Sequence, residues 1–99
     1  MISAERIPAT LRILTVGFNP VVKEGLQAIL AKDARIEVIG DAHDDHEAIE
    51  DIKRAYAQGR QVSVVLTETR TPTIDGVHVT ELIKQEFPDV SVLVLTEDP

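Results

Sequence analysis

Two spacings of apolar residues alternate along this chain. Leu11 to Val16 (LRILTV) is a short, β-rich run that Gly17 closes. From Pro20 onward, Val22, Leu26, Ile29 and Leu30 fall at i, i+4, i+7 and i+8, which is one helical face. Lys23, Glu24 and Gln27 lie off it. Asn19 is a good N-cap and Pro20 a good first helical residue, so the pattern predicts a helix from Pro20 to about Lys32. Ile36 to Gly40 (IEVIG) reads as a second strand and Asp41 to Asp45 as a polar loop. Asp44 and Glu47 have capping-box spacing, and Ala48, Ile49, Ile52, Ala55 and Tyr56 give a second amphipathic helix ending near Gly59. Val62 to Thr67 is nearly continuous in apolar residues, as expected of a strand covered on both faces. Glu68 to Gly76 (ETRTPTIDG) is a loop by composition. Val79, Leu82, Ile83 and Phe87 mark a third helix, which Pro88 stops. Val90 to Leu95 (VSVLVL) is a fourth strand with the same two-sided pattern.

The order is therefore β-α-β-α-β-α-β, which predicts an α/β fold: an open, doubly wound parallel sheet with helices on both faces. Residues 1–10 read as a flexible lead-in and 11–99 as the domain. Ligands of such sheets sit beyond the carboxyl ends of the strands. That directs attention to Val16–Asn19, Asp41–Asp45, Glu68–Gly76 and Thr96–Pro99.

Composition narrows the function. Ninety-nine residues make one domain at most. With three aromatic residues, Phe18, Tyr56 and Phe87, the core must be aliphatic. Ten Lys+Arg against seventeen Asp+Glu give a net charge of −7. The basic residues form no cluster, so direct nucleic-acid binding by this chain is not expected. There is no cysteine, which excludes a disulfide scaffold and thiolate chemistry. No apolar run approaches the roughly 18 residues of a membrane span, and the N-terminus lacks a signal-peptide pattern. The expected location is cytoplasmic. Phosphate-loop, dinucleotide and nucleophile-elbow motifs are all missing.

Four collinear stretches carry a resemblance. Arg12-Ile13-Leu14 with Asn19-Pro20-Val21-Val22-Lys23-Glu24-Gly25-Leu26 is similar to the start of a bacterial response-regulator receiver domain, of the subclass usually fused to a LuxR-type helix-turn-helix. Ile36-Glu37-Val38-Ile39-Gly40 resembles that subclass's second strand. Arg70-Thr71-Pro72-Thr73-Ile74-Asp75-Gly76 resembles its R-x-P-x-x-D-G loop. Phe87-Pro88-Asp89-Val90 followed by Val92 to Thr96 resembles its fourth strand and switch threonine. The resemblance spans about Leu11 to Asp98 and implies a flavodoxin-like, CheY-like sheet.

It also implies where the chemistry departs. A working receiver carries adjacent acids after the first strand, a phosphoacceptor Asp ending the third, a hydroxyl ending the fourth and a Lys ending a fifth. The acids hold Mg²⁺, which wants oxygen ligands. The acid-pair positions here match Gly17 and Phe18, neither of which ligates a metal by side chain. The phosphoacceptor position matches Glu68, the switch hydroxyl matches Thr96, and the Lys position lies beyond Pro99. Phosphoryl transfer depends on positioning and charge neutralisation. The expectation is thus a non-enzymatic domain that neither binds Mg²⁺ tightly nor autophosphorylates, with no metal site and no other cofactor. Glu68 reads either as permanent charge where a phosphoryl group would sit or, more simply, as a solvated loop carboxylate.

His43-Asp44-Asp45-His46 looks superficially metal-binding, but one short loop without a distant ligand is better read as the lead into a helix cap. His78 reads as a surface residue. Thr67, Thr69, Thr71 and Thr73 read as ordinary strand-end and turn threonines. The resemblance further implies that a last helix, strand and helix are absent from this chain. The fourth strand would then be an apolar sheet edge and one sheet face would lie open, predicting self-association or a protein partner there. The leading expectation is a pseudo-receiver acting by phosphorylation-independent protein contact in bacterial signalling or transcription regulation. The alternatives are an N-terminal receiver fragment of a longer LuxR-type DNA-binding regulator, a weak phosphoacceptor using Glu68, and a small-molecule pocket made apolar by Phe18.

Overall fold

A computed structural model describes residues 10–69 and 75–95. Its elements run β1 (Leu11–Val16), α1 (Pro20–Leu30), β2 (Ile36–Ala42), α2 (Asp45–Ala57), β3 (Val64–Glu68), α3 (Gly76–Glu86) and β4 (Ser91–Leu95). The four strands form one parallel sheet in the order β2-β1-β3-β4. This is the doubly wound arrangement the alternating pattern predicts.

Local chemistry sets the helix starts. Asn19 caps α1 by accepting the Val22 amide at 2.9 Å, with Pro20 in the first turn. Asp44 caps α2 by accepting the Glu47 amide at 2.8 Å. The Glu47 carboxylate reaches back one residue further than a capping box requires, to the His43 amide at 3.2 Å. Asp75 caps α3, accepting from the amides of Val77 and His78.

Alternation along the strands divides the core. Leu14, Val16 and Val65 face α2 and α3, where they pack with Ala48, Ile52, Val79 and Ile83. Ile13 and Leu66 face α1 and pack with Val22, Leu26 and Leu30. The register of β1 on β2 steps from Ile13↔Val38 to Leu14↔Gly40, so Ile39 is an extra residue. That step lets Ile36 serve the α1 side while Ile39 and Ala42 serve the other. On the α2–α3 side Tyr56 stacks on Phe87, ring centroids 5.5 Å apart.

Several expectations are corrected. α1 ends at Leu30, not near Lys32, and Ile29 is 63% exposed rather than on the buried face. The helix covers the sheet with the narrow stripe Val22, Leu26 and Leu30, and Ile29 falls to its side. β2 extends two residues further, to Ala42, because Thr15↔Asp41 and Val16↔Ala42 continue the ladder. β3 starts at Val64 and includes Glu68, which pairs with Leu95 and so belongs to the strand rather than the loop. β4 is not covered on both faces as its pattern predicts: Leu93 and Val94 are exposed, and among the described residues the strand is the sheet edge that the resemblance implies. Thr96, Arg70 and Pro72, and the lead-in 1–9, lie outside the described residues. Among the described residues, no helix is long and apolar enough to cross a membrane.

Candidate functional site at the carboxyl ends of the strands

Four segments meet at this end of the sheet: Gly17–Asn19 after β1, Asp41–Asp44 at the end of β2, Glu68–Thr69 at the end of β3, and Asp75–Gly76 entering α3. Gly17 has φ +81°, a left-handed conformation that L side chains rarely adopt. Its amide donates to the Ala42 carbonyl at 2.9 Å, holding the loop onto β2. The turn sends Phe18 inward, where it is 7% exposed and joins the cluster of Ile13 and Leu66, with Val22, Leu26 and Leu95 against it. Gly17 and Phe18 thus make an apolar plug.

Beside this plug lies a polar contact that the sequence reading missed. The buried Thr15 hydroxyl donates to Asp41 Oδ1 at 2.9 Å, and Lys23 Nζ donates to Asp41 Oδ2 at 3.0 Å. Both carboxylate oxygens are engaged, and the ion pair ties α1 to β2. The sequence offered one signal: a threonine interrupting an otherwise apolar strand interior.

Glu68 ends β3, half-buried, and its carboxylate receives no hydrogen bond or ion pair from the described residues. The nearby Thr69 hydroxyl is committed elsewhere, donating to the Leu95 carbonyl at 2.9 Å. The Thr67 hydroxyl is buried in the strand and donates to the Glu68 carbonyl at 3.3 Å, so it does not line a phosphate cradle. Thr71 and Thr73 lie outside the described residues. Gly76 closes against the same strand end. Its amide donates to the Thr69 carbonyl at 2.8 Å, and a Cβ on it would lie 2.5 Å from the Glu68 carbonyl oxygen. His78 is on the surface, as expected, and pairs with Asp45 at 3.4 Å. Among the described residues, no three His, Asp or Glu side chains come together as a metal site.

The family model described as "Response regulator receiver domain" matches residues 13–99. The chain belongs to the response-regulator receiver family. It is 30% identical over 86 residues to the transcriptional regulatory protein DegU of Brevibacillus brevis, and 33% identical over 86 residues to the transcriptional regulatory protein LnrK of Bacillus subtilis. Each match takes in 87% of this chain but only 34% and 37% of those proteins. Among solved structures, the receiver domain of the putative response regulator NarL from Mycobacterium tuberculosis superposes with a TM-score of 0.76 at 25% identity, over 93% of this chain and 70% of that one. The RcsB response regulator of Salmonella typhimurium superposes with a TM-score of 0.77 at 22% identity, over 92% of this chain and 44% of that one, and shares the fold.

The β1–α1 loop thus holds the Gly17–Phe18 plug, and Glu68 stands at the end of β3. Asp75 and Gly76 have structural work in this chain, as cap and as close contact.

Proposed function

We propose that this chain is a receiver domain that signals by protein contact without phosphotransfer, within a cytoplasmic bacterial two-component or transcription-control pathway. The burial of Phe18 carries the reading. A ring packed among Ile13, Leu66 and Leu95 supplies no oxygen at the place where Mg²⁺ would bridge the domain and a phosphodonor. Glu68 adds one charge and two acceptor oxygens where an aspartyl phosphate would add nearly two charges and three acceptors. It is a weak imitation of the phosphorylated state, and nothing among the described residues donates to it. The exposed edge of β4, with Leu93 and Val94, is one surface for a protein partner or a second copy.

A second reading is favoured by coverage. The chain spans about a third of the length of the regulators it matches, so it fits the receiver part of a longer LuxR-type DNA-binding regulator whose output lies elsewhere. The test of phosphotransfer is direct. The full chain is incubated with acetyl phosphate, and separately with beryllofluoride, at millimolar Mg²⁺. The expected result is no covalent adduct by intact mass and no Mg²⁺-dependent chemical-shift change. An adduct that disappears in Glu68→Gln would replace this reading with that of a weak phosphoacceptor.

A further inference from the structure

We propose that the cleft between β2 and the second half of α2 binds a small organic carboxylate with a branched apolar body. The cleft has a volume of about 240 Å³. That is room for about eight water-sized groups, less than a drug-sized pocket offers. Leu14, Ile39 and Ala55 form its apolar base, and Asp51, Arg54, Gln58 and Arg60 stand around them. The base belongs to the core on the α2–α3 side of the sheet, whereas Phe18 belongs to the cluster on the α1 side. The cleft is therefore separate from the loop site.

Local structure opens it. The extra residue at Ile39 leaves Ile39 and Gly40, two successive residues of β2, lining the same cleft. Gly40 has no side chain to fill the space. A Cβ on it would lie 3.3 Å from Leu14 Cδ1 and 3.9 Å from Asp51 Oδ2, between base and rim. At the end of α2, Gly59 has φ +73°, and the amides of Gly59 and Arg60 turn back to the carbonyls of Tyr56 and Ala55 at 3.0 and 2.8 Å. The residue after such a glycine frequently lays an apolar side chain on the helix. Here it is Arg60, held at the rim by its own backbone.

The charges choose the ligand. Arg54 donates to Asp51 Oδ1 at 2.8 Å, and Arg60 donates to Glu37 Oε2 at 2.9 Å. Arg12 Nε is enclosed and makes no hydrogen bond, 3.4 Å from the same Glu37 carboxylate. Three arginines thus share two carboxylates, which leaves one positive charge over in a chain of net charge −7. Arg54 and Arg60 each keep guanidinium N–H groups without a partner among the described residues. A guanidinium presents its donors as a planar fork that fits a carboxylate. A branched hydrocarbon then rests on Leu14, Ile39 and Ala55. A free acid and an amino acid both carry this chemistry, and Asp51 Oδ2 is the acceptor that would favour the ammonium group of an amino acid.

Chemical-shift mapping of the full chain with isocaproate, at ionic strength fixed with sodium chloride, tests the site. The expected result is saturable binding with a dissociation constant on the order of millimolar, with shifts centred on Leu14, Gly40, Ala55 and Arg60. Arg60→Gln should weaken it by at least about tenfold, and the fold survives because the ion pair lost is an exposed one. Gly40→Val should abolish binding by filling the cleft. Asp51→Asn removes a neighbouring negative charge and should tighten isocaproate. Circular dichroism confirms that each variant is folded, and Arg60→Gln decides the matter where Gly40→Val is not. Leucine binding more tightly than isocaproate, with that advantage lost in Asp51→Asn, supports the site and identifies an amino acid; the opposite order supports it and identifies a free acid. No saturable shift up to tens of millimolar overturns the proposal, as do shifts unaffected by Arg60→Gln or reproduced by chloride or by isoamylamine.

Discussion

Replacing Phe18 by Asp would place a carboxylate in the β1–α1 loop, and the structure says what that costs. The ring is 7% exposed and belongs to the cluster of Ile13 and Leu66, against which Val22, Leu26 and Leu95 pack. Truncating a buried phenylalanine typically costs about 3–5 kcal/mol. A carboxylate cannot stay in that cluster, so the loop must turn outward, and the 2.9 Å bond from the Gly17 amide to Ala42 is then at risk, worth about 1 kcal/mol more. Whole domains are stable by about 0.05–0.15 kcal/mol per residue, so the loss is a large part of what this 99-residue chain has. Urea denaturation followed by far-ultraviolet circular dichroism reads the effect. With a slope of about 1–3 kcal/mol per M, the midpoint should fall by at least about 1 M. Phe18→Leu keeps an apolar side chain in the cluster and should lose less. Millimolar Mg²⁺ should leave the Phe18→Asp midpoint unchanged, because a ligand that binds only the folded state would raise it. A loss under about 1 kcal/mol, together with stabilisation by Mg²⁺, would refute the reasoning and show that the loop is a latent acid site.

Gly76→Ala should destabilise the fold by about 1–3 kcal/mol on the same urea assay, since its Cβ would lie 2.5 Å from the Glu68 carbonyl oxygen and the α3 entry must shift. Gly25→Ala should do the opposite, stabilising by about 0.5–1 kcal/mol through helix propensity and raising Tm by several degrees, because its Cβ meets open space. Thr15→Val removes a buried donor to Asp41 and should cost about 1 kcal/mol. The Arg35 guanidinium, bonded to the Asp33 carboxylate at 2.9 and 3.1 Å, holds the Asp33 pKa down to about 2. A depressed carboxylate favours the fold above its unfolded value near 3.8, and that contribution fades as pH falls toward 2. An NMR titration of Arg35→Gln should return Asp33 toward the ordinary carboxylate range.

Elements repeating one spacing were legible from the chain, and features made by contacts between distant residues were not. Asn19-Pro20 and Asp44 announced their helices because capping is settled within three residues. Ile29 misled because an i, i+7 match to the buried stripe does not say how wide a stripe the sheet can cover. The extra residue at Ile39 and the extension of β2 to Ala42 are set by the register on β1. The two-sided apolar pattern of Val90 to Leu95 suited a covered strand, while the resemblance implied the edge position that the sheet order shows, where Leu93 is 54% exposed. At the site, the positions of Gly17, Phe18 and Glu68 came from family resemblance. What Phe18 does there came only from the packing, and Thr15–Asp41–Lys23 spans separations no local pattern encodes.

The residues that start and seat the helices and the acids proposed to be lost after β1 fall on opposite sides of a physical line. Asn19 with Pro20 starts α1, and Asp75 starts α3. Gly76 is the one residue small enough to bring α3 against the Glu68 carbonyl. Each does work that the fold requires whether or not a phosphoryl group ever arrives. The acids after β1 have no such role. Placed side by side they repel, and only a bound cation offsets that repulsion. Under the proposed function, Gly17 and Phe18 exchange this demand for a turn and a buried ring, so the loop adds to the core. The domain would then keep the receiver fold while its signal passes through what its surfaces meet.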